Sequence, residues 1–141
     1  MENEEPGQKV SVVIPSYNRP DVLLESLSSV ADQTYDNIEV VVVDDASSTP
    51  VEEVLNGFRS DFPYPITVIR HEENKGASAA RNTGIQESAG DFVAFLDDDD
   101  MWEKEKIERQ VDRFRQAGTD VGVTYTGMRI VDGRGNTTRR H

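Results

Sequence analysis

Residues 92–102 read FVAFLDDDDMW, an apolar stretch that runs straight into Asp97, Asp98, Asp99 and Asp100. At about 4 Å and an effective dielectric near 20, two like charges repel by about 4 kcal/mol. A solvated turn relaxes most of that repulsion; an acidic run held at the end of a buried strand does not. Hard divalent cations take carboxylate oxygen, and Mg²⁺ or Mn²⁺ typically uses one or two carboxylates, with phosphate oxygens and waters completing the shell. In extended backbone Asp97 and Asp99 share a side, while Asp100 turns into the following loop. Two readings stand: a cation site that a phosphorylated ligand completes, or a solvated acidic turn and helix cap. The run is no EF-hand, since the alternating ligands, central glycine and closing glutamate are missing.

Three other stretches carry chemistry. PSYNRP, residues 15–20, can offer Tyr17 as a platform for a flat ring, with Asn18 and Arg19 as polar partners. Its plain alternative is a proline-bracketed turn. NKGASAARNTG, residues 74–84, places Gly76 near a helix start, where free backbone N–H groups and a cation can meet an anion. Arg81 and Asn82 lie a turn or so further in. The alternative is an Asn-Lys-Gly turn with Arg81 on a solvated face. The stretch has neither P-loop nor G-x-G-x-x-G spacing. Asp44 and Asp45 close another apolar strand. Phosphoacceptor receiver domains carry such a pair, but they need a later lysine, and none follows Lys106. His71 is expected at the surface, and Trp102 is expected to pack, with the wall of a sugar pocket as its alternative.

The elements that must position these residues follow from periodicity. Val10–Ile14, Ile38–Val43, Ile66–Ile69, Phe92–Leu96 and Val121–Tyr125 read as strands. The second is apolar almost throughout, as a strand covered on both faces must be. Asp21–Asp32 carries Leu23, Leu27 and Val30 at helical spacing, and Glu103–Gln116 carries Ile107, Val111 and Phe114. Residues 50–58 give a short helix closed near Gly57, and Ala77–Glu87 gives an alanine-rich one. VDGRGN, residues 131–136, is a hairpin turn, and residues 1–8 form a flexible polar tail. Strands alternating with helices imply right-handed βαβ units and a mostly parallel sheet. Ligands of such sheets bind beyond the carboxyl ends of the strands. PSYNR, DDAS, HEENKG and DDDDMW all fall at those ends, so they line one edge.

The chain has 141 residues, the size of one ordinary domain, and no cysteine, which excludes disulfides and thiolate metal sites. Its 27 acidic and 15 basic residues give a formal charge of −12, which argues against a nucleic-acid partner. The basic residues are four lysines and eleven arginines. Acid excess with little lysine resembles proteins of salt-loving microbes; an ordinary acidic surface is the other reading. Neither a secretory signal nor a membrane span is legible, so the expected location is cytoplasmic.

VSVVIPSYNR, VVVVDDASST, NKGASAARNTG and FVAFLDDDDMW, in that order, resemble the nucleotide-binding half of the family 2 glycosyltransferases of GT-A fold. The resemblance covers roughly Lys9 to Arg115. It implies an α/β, Rossmann-like fold with a mostly parallel sheet flanked by helices. It also implies an inverting transferase that uses a nucleotide-diphosphate sugar, UDP-linked by preference, with Mn²⁺ or Mg²⁺. Carried onto this sequence, base and ribose contacts fall on Pro15, Tyr17, Asn18 and Arg19, and a further base contact on Asp45. The Asn-x-Gly-x-x-x-Ala-Arg-Asn pattern falls on Asn74, Gly76, Ala80, Arg81 and Asn82. The Asp-x-Asp motif falls on Asp97 and Asp99, with Asp100 beside them as a metal ligand. Asp98 stands where the family often has a small residue, and it is included among the nucleotide-sugar contacts. The general base that an inverting transferase needs is expected past residue 141: Asp132 lies nearby, but nothing around it resembles the family's base motif. On this reading residues 9–141 are a truncated GT-A domain that lacks most of the acceptor half. The acceptor (glycan, lipid or protein) is unspecified, and a non-catalytic nucleotide-sugar-binding module is the alternative function.

Overall fold

The computed structural model describes residues 7–140; residues 1–6 of the expected tail lie outside it. The chain divides into two compact units, one ending at Lys106 and one beginning at Ile107, where composition alone implied a single domain. The first unit holds a four-stranded parallel sheet. Its strands are β1 (Val10–Ser16), β2 (Ile38–Asp44), β3 (Ile66–Arg70) and β4 (Phe92–Phe95), in the order β3-β2-β1-β4. Helices α1 (Pro20–Ala31), α2 (Val51–Val54) and α3 (Ala77–Glu87) form the connections. A single 3₁₀ turn, Arg59–Asp61, precedes β3.

Burial follows from the pattern. Val12, Val13 and Ile14 of β1 and Val40 to Val43 of β2 are all at most 2% exposed, so both faces of the central strands are covered. Val13, Val41 and Val43 cluster with Ala80 of α3 and with Ile69. Helix and sheet come so close there that a Cβ on Gly84 would stand 2.2 Å from Val13. Leu23, Leu27 and Val30 are the buried stripe of α1, as their spacing predicted.

β1 runs two residues further than expected, through Pro15. Proline has no N–H, and inside a sheet that normally breaks a ladder. Here the Val13 carbonyl accepts from Leu96 N at 3.1 Å, so alternate residues of β1 face β4. β4 ends at Phe95, level with Val13. Pro15 therefore faces a side with no strand to pair, and its missing donor costs the sheet nothing.

The second unit contains most of α4 (Lys106–Gln116), which starts three residues later than predicted, and a hairpin of β5 (Arg129–Val131) and β6 (Thr137–Arg140). The hairpin turn is where VDGRGN placed it: Asp132 accepts from Arg134 N and Asn136 N at 2.9 Å each, and Gly135 has φ +80°. The strand expected over Val121–Tyr125 does not form; residues 117–128 are neither helix nor strand. Val121, Val123 and Tyr125, which share a face in extended backbone, are 41%, 79% and 93% exposed. β-branched residues favour a strand only when a neighbouring strand and a buried face use them, and this stretch has neither.

Candidate functional site

The strand order reverses between β1 and β4: β2 and β3 are laid down on one side of β1, and β4 on the other. Crevices at such a switch point, beyond the carboxyl ends, are where ligands of open α/β sheets bind. The segments after β1 and β4 meet there. Tyr17 N lies 3.4 Å from Asp98 Oδ2, and the Arg19 guanidinium donates to Asp99 Oδ2 at 2.7 Å, with Asp98 Oδ1 at 3.6 Å. From α3, Arg81 donates to Asp97 Oδ1 at 2.7 Å. PSYNRP and NKGASAARNTG thus both reach the acidic run.

Within the run the four aspartates separate. The Asp100 N–H donates to the Asp97 carbonyl at 3.1 Å, which closes a turn. Ser26 of α1 donates to the Asp100 carbonyl at 2.5 Å, and Ser29 accepts from Trp102 N at 3.1 Å, so the helix holds the turn. Asp97, Asp99 and Asp100 each place one oxygen within 4.8 Å of the others. Asp98 instead turns inward and is 7% exposed. Burial pushes the Asp98 carboxyl above the usual range, with Asp99 adding to the rise, against the Tyr17 N–H and Arg19, which lower it. Asp100 is raised as well, by burial first and then by its three neighbours.

The donor set fits a hard divalent cation. All ligands are anionic oxygens, and an octahedral Mg²⁺ shell at 2.0–2.1 Å keeps its oxygens within about 4.2 Å of one another. The set spans at most 4.8 Å, close to that size. The side chains of Asp97 and Asp99 are about half exposed, at 47% and 50%, so they are open to exchange partners.

The β1 and β2 ends interlock. Asn18, with φ +52°, donates its backbone N–H to Ser47 Oγ at 3.0 Å and accepts from Ser48 N at 2.7 Å. Ala46 is also left-handed, with φ +66°. The Asn18 side chain is thus used to align two loops, which leaves Tyr17, 46% exposed, as the free face of PSYNRP. A cleft of about 260 Å³ opens beside the two interlocked loops, walled in part by Ser16, Asn18, Arg19, Ser47, Ser48 and Val51.

Asp44 and Asp45 are both met by donors from within the protein. Asp44 accepts from Ser47 N at 2.9 Å, Val51 N at 3.0 Å and Arg70 at 2.5 Å. Asp45 accepts from His71 Nδ1 at 2.8 Å, Lys75 N at 2.9 Å and Gly76 N at 2.8 Å. Burial works to raise both carboxyls, and these hydrogen bonds outweigh it, so both lie below the usual carboxylate range. His71 is not at the surface: it is 8% exposed, and its Nε2 lies 2.8 Å from Thr83 Oγ1. A lone histidine reads as surface in a sequence because the buried carboxylate that holds it is 26 residues away.

Of the remaining site candidates, Pro15 is buried in β1, Asn74 and Asn82 are exposed, and Gly76 supplies φ +91° at the start of α3. Trp102 is half-buried, with Lys106 Nζ 4.5 Å from its ring centroid. Ser26, Ser47, His71 and Thr83 were not anticipated as parts of the site. Ser26 left one signal, a serine inside the apolar stripe of α1 between Leu23 and Leu27.

Residues 11–141 match glycosyl transferase family 2. The chain belongs to that family, and the receiver alternative falls. The glucosyltransferase WfgD of Escherichia coli, which acts with UDP-Glc on GlcNAc-diphosphoundecaprenol, is 41% identical over 123 residues, 87% of this chain and 47% of that protein. Glycosyltransferase GlyA of Streptococcus pneumoniae is 38% identical over 115 residues, 82% of this chain and 16% of that one. Mannosyltransferase PcManGT of Pyrobaculum calidifontis, solved with GDP-Man and Mn²⁺, superposes with a TM-score of 0.71 at 25% identity, covering 82% of this chain and 34% of that one. S. aureus TarS 1-349, solved with UDP, gives 0.68 at 27% identity, covering 87% and 41%. The fold is that of these GT-A neighbours. This chain spans less than half the length of each of these relatives. No helix among the described residues is long and apolar enough to cross a membrane.

Proposed function

We propose that this chain is the donor-binding part of an inverting glycosyltransferase that takes a UDP-sugar together with Mn²⁺ or Mg²⁺. The observation that carries the reading is the trio Asp97, Asp99 and Asp100, with one oxygen each within 4.8 Å, at the sheet's switch point. TarS 1-349 has been solved with UDP and with UDP-GlcNAc, and PcManGT with Mn²⁺. A bound divalent cation supplies charge neutralisation for the leaving diphosphate.

The chain's own residues do the remaining work. Tyr17 stacks on the base. Asp45 accepts a base N–H: a carboxylate offers about four acceptor positions, and three are filled from within the protein. Arg19 and Arg81, now paired with Asp99 and Asp97, are placed to exchange onto phosphate oxygens. Ser26 and Ser29 keep the acidic turn pinned to α1 while those partners exchange.

Calorimetry with UDP in the presence and absence of Mn²⁺ tests this. The expected result is that the cation and nucleotide each tighten the other's binding. Asp97→Asn with Asp99→Asn should weaken UDP binding in Mn²⁺ more than about 100-fold, given roughly 1.5–3 kcal/mol for each of the two charged contacts. Equal UDP affinity with and without the metal, or in that double variant, overturns the reading. Nucleotide release from a UDP-sugar panel, with and without candidate acceptors, separates transfer from binding alone.

A further inference from the structure

Asp45 is ionised and buried, and a carboxylate only accepts hydrogen bonds. His71 Nδ1 at 2.8 Å must therefore carry the proton and donate it. The same oxygen, Oδ1, also accepts from Lys75 N at 2.9 Å. Each carboxylate oxygen has about two acceptor positions, so Oδ1 is full. Oδ2 accepts from Gly76 N alone and keeps one position. Thr83 Oγ1 on Nε2 holds the imidazole in this orientation from the other side. The carboxylate at the end of β2 is left as a single acceptor, and His71 makes it so.

That asymmetry distinguishes nucleobases. The edge of uracil presents one N–H, flanked by two carbonyl oxygens. Guanine presents two adjacent donors, the ring N–H and the exocyclic amine, and satisfying both on one carboxylate needs a free position on each oxygen. We propose that His71, by occupying Oδ1 of Asp45, sets the preference for a uracil-type base over guanine. His71 is a positioning residue here: it acts through Asp45 and touches no part of the sugar or diphosphate. The inference rests on the proposed role of Asp45 as the base contact. His71 also walls a hollow of about 470 Å³ with Arg70, Glu72, Glu73 and Lys75, so its removal enlarges that hollow.

The test is the ratio of UDP to GDP affinity, measured by calorimetry in Mn²⁺ on the full chain. The unaltered protein should favour UDP. His71→Ala frees a position on Oδ1 and should lower the ratio about tenfold or more, the worth of one hydrogen bond to a charged group. His71→Asn puts an amide N–H where Nδ1 stood and should restore the ratio. Thr83→Val, which leaves the histidine in place but unfixed, should give an intermediate ratio and covers the case in which His71→Ala does not fold. A purely structural role for His71 lowers both affinities together and leaves the ratio unchanged; that result in His71→Ala, or in Thr83→Val where His71→Ala is unfolded, overturns the proposal. Preference for GDP in the unaltered chain also overturns it. If the unaltered chain binds neither nucleotide, the donor-binding reading fails first and the selectivity falls with it; if Asp45→Ala binds UDP normally, only the base contact and the selectivity built on it fail.

Discussion

Two acidic strand ends lie on the same sheet edge, one on each side of β1, and they behave in opposite ways. Asp44 ends β2 and Asp45 follows it; Asp97 to Asp100 follow β4. In the sequence both are apolar runs that stop at carboxylates. In the structure the first pair is buried and held by donors from within the protein, with three hydrogen bonds to each carboxylate and both groups held below the usual carboxylate range. In the second, Asp97 and Asp99 have one guanidinium donor each, and burial and mutual repulsion raise Asp98 and Asp100. Carboxylates met by N–H donors hold loops together. Carboxylates met mainly by one another store repulsion that a cation can release.

The sharpest way to break this contrast is to delete one acid from each end and compare stability. Asp44→Ala removes a side chain that is 1% exposed and leaves the Ser47 and Val51 N–H groups without their acceptor. Unsatisfied buried donors cost roughly 1–3 kcal/mol each, so the expected loss is about 3 kcal/mol. The exposed Arg70 partner adds little, because its guanidinium returns to water. Asp97→Asn with Asp99→Asn should cost no stability in metal-free buffer and should raise it slightly. Urea melts of the two variants decide the matter: equal losses would show that the two ends do the same job.

Acid sharpens the same comparison. Asp44 and Asp45 have folded pKa values lowered from the ordinary 3.8. A lowered carboxyl adds stability that is fully present above the unfolded value and is lost as pH falls through the folded one. The cost of Asp44→Ala should therefore be constant between pH 5 and 7 and shrink below pH 3.8. Urea melts of both proteins across that range give the difference directly. A cost that stays level down to pH 2 would mean that the carboxylate charge contributes nothing at this position.

The opposed roles explain what could be read in advance. The four strands of the parallel sheet, α1 and α3 were legible because each follows from a local period or a local breaker, such as Gly76 before α3. The convergence of PSYNRP, Arg81 and the acidic run was legible because a parallel sheet sends all its carboxyl ends to one edge. The difference between Asp45 and Asp99 was not. It depends on His71, 26 residues from Asp45, and on Arg19, 80 residues from Asp99, and no local pattern encodes such distances. The strand expected at Val121–Tyr125 failed for a related reason: the sequence supplied β-branched residues, but a strand also needs a neighbour.

Salt gives the smallest effect and tests the contrast over the whole surface. The chain carries a formal charge of −12, with only four lysines among its 15 basic residues. Net charge of one sign destabilises a compact state through self-repulsion, and added ions screen it. The Debye length falls from about 10 Å at 0.1 M to about 3 Å at 1 M, so most of the relief comes within that range. Tm should rise by a few degrees as KCl goes from dilute to molar, since a shift of about 1 kcal/mol moves Tm by roughly 2–8 °C in domains of this size range. The two strand ends should contribute unequally. Asp44 and Asp45 are buried among fixed donors and are screened little, whereas Asp97, Asp99 and Asp100 lie exposed beside one another. Asp97→Asn with Asp99→Asn should therefore flatten the KCl dependence, and Asp44→Ala should leave its slope unchanged. Differential scanning calorimetry across the KCl series reads both slopes. A Tm that is flat or falls with salt in the unaltered protein would show that the acid excess is already balanced by local pairing, and the repulsion assigned to the β4 end would have to be withdrawn.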